Sequence, residues 1–477
     1  MSCPASAVSH PTGSSATSVE SESVESQDGC SRLYGLPFWS AYGANTLVTV
    51  AVAVLFRYAD FITVLGGTEL HLGWIVGVGM VGSVLGRLAL GSAIDRLGAR
   101  RIWLGSLALL VVTCWAHLAV SRCDTVEVYL LRVGCCTAIA GVYAASTTFI
   151  SGRANAARMA ELIGMLGTSG FVGTMLGTQL GDLLLVGNQV QRWQVDRMFG
   201  AAGLLVLAAG PFAWAATRTV RPPEPHNSPP ILDILKRYQP GFVLLVGVGT
   251  GAALSLPQTF LRTYAAELNI PRISLFFSVV AITAVLTRVA TRRLPERLGL
   301  ATMIFIGLGL MAMAQVLFLA VRSELQLALP ALPYGIAQAI LYPMVAAAAT
   351  STFPTRYRGL GITLVLAAFD IGQLVGAPLA GATVHLSEAM GLGGYPTLFA
   401  GTAAMLVLVG VVYWLSLKRR PVIEVPDEEI PVLLLPQTPV LRRALLRESR
   451  RQRAAAMRPV TAQSPGSNSP RKVAGRR

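Results

Sequence analysis

Charge is the scarcest feature of this 477-residue sequence. Only 13% of its residues are Asp, Glu, Lys or Arg, while 53% are hydrophobic, and mean hydropathy is +0.57. A soluble domain carries about 25% charged residues. This deficit excludes a solvated globule and predicts an integral membrane protein with many spans. Cysteine is sparse and scattered. Cys3, Cys30, Cys114, Cys123, Cys135 and Cys136 match neither a zinc spacing nor a disulfide framework. The start of the chain lacks the basic residues and short apolar core of a secretory signal; residues 1–32 are Ser-rich and acidic, so the first apolar run is read as a retained anchor. No nucleotide-binding loop, H-E-x-x-H motif or nucleophile constellation is present, which argues against an enzyme, a metal site and ATP-driven work. "GVGMVG" at 77–82 has dinucleotide-loop spacing but sits inside an apolar run, where Gly73, Gly77, Gly82 and Gly86 read better as helix contacts. His117 is read as a core residue.

What the chain has instead is twelve apolar runs, at 38–61, 72–92, 102–121, 127–150, 161–184, 198–217, 241–264, 273–292, 301–321, 326–350, 360–385 and 395–416. About 20 residues of helix cross roughly 30 Å of hydrocarbon, and backbone groups in lipid must bond within their own segment, so each run is predicted to be a helix. The net charge of +15 is no sign of nucleic-acid binding: residues 417–477 hold 14 Lys/Arg against 5 Asp/Glu, so nine of the fifteen charges lie in that tail. Elsewhere the basic residues fill short gaps. One set includes Arg96, Arg100, Arg101, Arg153, Arg158, Arg218, Arg221, Lys236, Arg237, Arg292, Arg293, Arg297, Arg356 and Arg358. The alternate gaps hold Arg122, Arg192, Arg197, Arg272 and Arg322, mostly beside acids. The first set is read as cytoplasmic, which puts both termini on the cytoplasmic side of a multi-pass protein of the cytoplasmic membrane.

The chain also repeats itself. "VLGRLALGSAIDRLG" (84–98) returns as "VLTRVATRRLPERLG" (285–299), and "GTMLGTQLG" (173–181) is echoed by "GQLVGAPLAG" (372–381). The offsets are 201 and 199 residues. The Pro-rich stretch 218–240 divides the spans six and six. The predicted organisation is therefore a disordered N-terminal tail (1–35), a six-helix bundle (36–217), a central loop (218–240), a second bundle (241–416) and a basic C-terminal tail (417–477). Parallel repeats of this kind occur in transporters, with the substrate between the halves.

The first repeated stretch carries Gly91, Asp95, Arg96, Gly98, Arg100 and Arg101, which resembles the G-x-x-x-D-R-x-G-R-R-R loop of the major facilitator superfamily. The second copy is more worn and keeps Glu296, Arg297 and Gly299. The resemblance covers roughly residues 36–416. It implies an all-α fold of two pseudo-symmetric six-helix bundles that moves a small organic solute by alternating access. By resemblance the loop is a cytoplasmic gate, its acid facing the helix that begins near Gly359; alternatively it only fixes topology by its positive charge. Gly173, Gly177 and Gly181 resemble the family's antiporter motif, with Thr178 for its proline and Asp182 for its last glycine, which favours efflux over uptake. Gly372, Gly376 and Pro378 are the corresponding span-eleven residues. Arg132 resembles an arginine linked in the family to proton coupling.

Ionisable residues within spans are functional candidates by default. Asp370 lies about ten residues, or roughly 15 Å, into span eleven, with Gln373 on nearly the same face. It is read as a proton or substrate residue, the alternative being a permanently paired structural aspartate. Arg57 and Asp60, three apart in span one, either neutralise each other or meet substrate; Gln258 and Arg262 occupy comparable ground in span seven. Arg87 and Arg288 are expected to stretch to the cytoplasmic surface. The predicted function is a monomeric antiporter or symporter needing no cofactor beyond a proton gradient, with lipid and a small-molecule substrate as partners. The alternative is a transport-inactive sensor or scaffold that uses the basic tail.

Overall fold

The structure is a computed structural model; it describes residues 35–151, 156–187, 190–218, 241–291, 294–353 and 358–419. The tails, the central loop and their basic residues therefore lie almost entirely outside the described residues. The expected fold class holds at the level of an all-α, multi-span membrane protein. We label twelve helical segments: α1 (Leu36–Val64), α2 (Glu69–Leu97), α3 (Ala99–Ala116), α4 (Val126–Ser151), α5 (Ala156–Leu184), α6 (Arg192–Thr217), α7 (Val243–Glu267), α8 (Ser274–Ala290), α9 (Leu300–Phe318), α10 (Ala328–Thr350), α11 (Arg358–Ala389) and α12 (Gly394–Arg419). Ten of them are long and apolar enough to cross a membrane. The other two are α8, which has 17 residues, and α5, whose 29 residues are diluted by glycine and threonine. A ³10 turn at Leu55–Arg57 interrupts α1 just before Asp60.

Exposed side chains on these helices are largely Leu, Val, Ile and Trp, as lipid requires. Exposed tryptophans collect towards both ends of the helices: Trp39, Trp214 and Trp414 where odd-numbered helices begin, Trp74, Trp115 and Trp193 where they finish. Indole rings favour the two membrane interfaces, so the chain has the aromatic girdles of a spanning protein. We call the end at which odd-numbered helices begin the near end, and the other the far end.

Packing repeats the sequence repeat. Helix α1 lies on α5 and α6, α2 on α4, and α3 on α4 and α6. In the second set α7 lies on α11 and α12, α8 on α10, and α9 on α10 and α12. The two sets meet along α2–α11 and α5–α8. Small residues allow these approaches. A Cβ on Gly173 or Gly177 would strike α1 at Thr49 or Val50; one on Gly372 or Gly376 would strike α7 at Val248 or Ala252. Between the sets, Gly73 and Gly77 sit against Ala377 and Pro378, and Gly381 against Glu69.

The repeat also reaches the backbone. Gly98 ends α2 with φ 84° and ψ 149°, and Gly299, before α9, has φ 83° and ψ 158°. Both values lie where side chains with a Cβ are strained, which accounts for glycine at the same place in each copy.

Gly372→Leu is expected to destabilise the protein by about 1–3 kcal/mol through overpacking, since backbone atoms of α7 occupy the space. Gly401→Leu, with no atom near its Cβ position, should not. Melting temperatures of the purified variants in one detergent check this; equal values would contradict the packing argument.

Candidate functional site

Among the described residues, two groups of paired charged side chains lie inside the helix bundle, and both cross between the two sets of helices. The first is at the far end. Where α1 leaves its ³10 turn, Arg57 Nε donates to Asp60 Oδ2 at 2.5 Å, and Arg57 Nη1 donates to Asp182 Oδ1 of α5 at 2.8 Å. Arg262 of α7 donates from Nε to Asp60 Oδ1 at 2.9 Å. Asp182 Oδ2 also accepts the backbone N–H groups of Ile273 and Ser274, at 3.0 and 2.8 Å. Those are the N-terminal donors of α8, where a carboxylate is favoured by the unpaired amides and the helix dipole. Arg57 is 1% and Arg262 2% exposed, so two cations and two anions neutralise each other away from water. Arg57 and Asp60 thus pair with each other within a larger cluster that also holds Asp182 and Arg262.

Asp182 was not among the candidate residues. The signal was present, an aspartate where the glycine motif expects glycine, but read from the sequence it was only a departure from the motif. Gln179, one helical turn earlier, donates to Ser278 Oγ of α8 at 3.2 Å, and Phe56 lies 4.9 Å from Phe277, so the far end is sealed by polar and aromatic contacts together.

The second group is near mid-length. Asp370 lies twelve residues into α11, about 18 Å along its axis. Ser83 Oγ of α2 donates to its Oδ2 at 2.6 Å; Arg87 Nε donates to the same oxygen at 2.5 Å, and Arg87 Nη2 to Oδ1 at 3.4 Å. This corrects the expectation for Arg87, which turns inward instead of stretching to the surface. A paired guanidinium inside the bundle wins because Asp370 would otherwise be a lone buried carboxylate. Arg288 departs from the same expectation: its guanidinium lies over the Phe171 ring of α5, 4.7 Å from the centroid, with Nη1 beside Gly167. Tyr342 of α10 stacks on Phe369, and its hydroxyl lies in the field of Arg87, Arg288 and Asp370.

Arg132 of α4 is held differently. Its guanidinium lies over the Tyr58 ring, 4.5 Å from the centroid, its stem crosses Gly79, and its Nε has no hydrogen-bond partner. Cys114, Cys135 and Cys136 surround it. Behind it Tyr58 contacts His117, which stacks on Phe199 at 4.7 Å, so His117 is a core residue. Gln258 and Gln373 are half-buried and belong to neither ion cluster. Of the loop motif, Arg96, Glu296 and Arg297 are exposed and Arg100 lies 6.0 Å from the Trp214 ring centroid; the side chains of Gly91 and Asp95 lie outside the described residues. Among the described residues, no three His, Cys, Asp or Glu side chains group as metal ligands would.

The sequence profile described as Major Facilitator Superfamily matches residues 38–322 and, again, 243–457. The chain belongs to this superfamily. Its members are membrane transporters, not enzymes, and the two overlapping matches fit a chain built from two copies of one unit. Two proteins of Agrobacterium vitis, each described as a putative tartrate transporter, are 32% and 31% identical over 87 residues, 18% of this chain. The match spans about a fifth of their length, 19% and 20%. Among solved structures, an auto-inhibited POT family peptide transporter superposes with TM-score 0.66 and 12% identity over 84% of this chain and 99% of its own. The nucleoside transporter NupG gives 0.65 and 14% over 81% and 100%. A D-xylose–proton symporter gives 0.61 and 14% over 79% and 96%. At these identities the likeness is one of fold. It places the charged clusters on the framework of a major facilitator protein.

The far-end cluster gives a direct expectation. Arg262→Ala leaves Asp60 with one arginine and removes an ionic tie between the helix sets, a loss of several kcal/mol for a buried pair. With the six native cysteines replaced, a Ser278→Cys reporter should then react faster with a membrane-impermeant maleimide added at the far end. An unchanged labelling rate would contradict a sealing role.

Proposed function

We propose that the protein is a secondary active transporter of twelve spans in two six-helix bundles, working by alternating access as a monomer in the cytoplasmic membrane. The observation that carries this reading is the Arg87–Asp370 ion pair, which joins the two sets of helices at mid-length. A permanent scaffold gains little from a charged pair there, because an apolar contact of equal volume is as stable or more so. A pair that forms and breaks as the bundles rock has a use for it.

The far end faces outward in this reading and the near end faces the cytoplasm. Far-end arginines are held by local acids, Arg122 by Asp124 and Arg192 by Asp196, whereas the near end carries the basic loops of the chain. The structure then represents a state closed to the outside, with the Arg57–Asp60–Arg262–Asp182 cluster as its latch and the loop carrying Asp95 and Arg96 as the opposing gate. Both termini are cytoplasmic.

Asp370 is the proton-coupling residue in this reading. It is faced by Ser83 and Arg87 from α2, Cys136 from α4 and Tyr342 from α10. Protonation removes its attraction for Arg87 and releases α2 from α11; deprotonation restores the tie. Export over import rests on the glycines of α5 alone, and tartrate is a property attributed to relatives aligned over a short segment. Together they support a small organic solute and a direction to be measured.

Reconstituted vesicles holding a pH-sensitive dye test the reading. Solute addition should produce a pH change with the wild-type protein. Asp370→Asn should abolish that change and accumulation against a gradient, while downhill flux persists. An unchanged pH signal in Asp370→Asn would overturn the assignment of Asp370, and solute binding without flux would favour a sensor.

A further inference from the structure

The two inner arginines are copies of each other. Arg87 and Arg288 are the fourth residues of the repeated stretches 84–98 and 285–299, on α2 and α8. Their contacts are related in the same way, since α2 meets α11 and α8 meets α5. The second repeat, offset by 199 residues, aligns Gly173 with Gly372 and so aligns Phe171 with Asp370. In one arm the arginine therefore meets a carboxylate. In the other, the arginine at the equivalent place lies over a phenylalanine ring, and among the described residues no carboxylate is within ion-pair distance of it. One arm of the duplicated pair thus has the arginine with a carboxylate, and the other has the arginine with a phenylalanine.

An aromatic face offsets little of the cost of burying a guanidinium compared with a bidentate carboxylate. Arg288, in the last turn of α8, is close enough to the first arm for the Tyr342 hydroxyl to feel both arginines and Asp370. Among the described residues, Arg87 is paired by Asp370 and the far-end cluster is balanced at two and two, whereas Arg288 has an aromatic ring and no acid.

We propose that Arg288 is the substrate-anion site: a carboxylate of the transported solute takes the place that Asp370 fills in the other arm, beside Phe171 and Tyr342. The site takes small organic acids. The phenylalanine is suited to this role. It holds the guanidinium in place by its ring without competing for it, where an aspartate would occupy it. The inference rests on the transporter reading and names its substrate class.

The test is equilibrium binding to the purified full chain in detergent, by calorimetry, with succinate and tartrate as anions, succinamide and erythritol as neutral counterparts, and putrescine as a cation. The anions should bind saturably, with the neutral and cationic probes at least about ten-fold weaker. Arg288→Ala should weaken anion binding by about ten- to a hundred-fold, and Arg288→Lys by less. The decisive variant is Phe171→Asp, which restores the missing carboxylate and should abolish anion binding; Phe171→Asn, equal in size and uncharged, should weaken it far less. Melting temperatures confirm that each variant is folded. Anion binding insensitive to Arg288→Ala and Phe171→Asp overturns the site, as does the absence of carboxylate binding up to about 10 mM. Arg288-dependent binding without flux in vesicles would leave the site standing and remove the transporter reading. Flux of neutral or cationic solutes that ignores Arg288 would do the reverse.

Discussion

Everything at the far end of this protein depends on four charged side chains that cannot reach water. Arg57, Asp60, Asp182 and Arg262 come from α1, α5 and α7, and Asp182 extends the set to α8 through the amides of Ile273 and Ser274. A charge in a dry interior is tolerated only when partnered, and removing one partner costs more than the pair itself contributes. The four must therefore be assembled together or released together. In the proposed reading the cluster is a two-state element: closed with all partners in place, as in this structure, or open with water supplying the solvation. Glycines that let α5 lie against α1 and α11 against α7 bring the helices near enough for such short contacts, while Gln179–Ser278 and Phe56–Phe277 fill the space around them.

The mid-length arms follow the same electrostatics with a different result. The duplicated framework puts an arginine of α2 before α11 and an arginine of α8 before α5. Asp370 answers Arg87 in one arm. In the other, Phe171 gives the Arg288 guanidinium a surface to rest on, with no counter-charge among the described residues. The proposed roles follow from this asymmetry, an ion pair in one arm and an external anion in the other. Rocking bundles need this kind of asymmetry, because work is done only if substrate and coupling ion bias the same element differently.

The membrane class and all twelve helical segments were legible in the sequence, because hydropathy and the length needed to cross lipid are local properties. Boundaries were less legible: α2 overran its apolar run at both ends, whereas α8 and α10 fall within theirs, since a helix ends at its cap and not where the lipid does. The duplication was legible too, and Gly98 and Gly299 adopt matching backbone angles. The partners of charged residues were not legible. Arg87 and Asp370 are separated by 283 residues and Asp60 and Arg262 by 202, and depth along a helix does not say which neighbour a side chain faces. A long arginine stem suits either an interface or an interior partner, so the inward turn of Arg87 and Arg288 had to come from the packing of α2–α11 and α5–α8. Asp182 stood in a glycine motif, where its value depends on the start of α8, some ninety residues further on.

In the proposed reading the far end opens and closes as the two sets of helices move. Spin labels at Val186, just past α5, and Leu325, just before α10, are both exposed at that end and sit on opposite sets. Pulsed electron resonance on the reconstituted protein should resolve two distance populations. The shorter should dominate in the wild-type chain, and the longer should grow when Asp60→Asn weakens the latch or a bound solute shifts the equilibrium. A single distance, unchanged by either, would contradict alternating access in this protein.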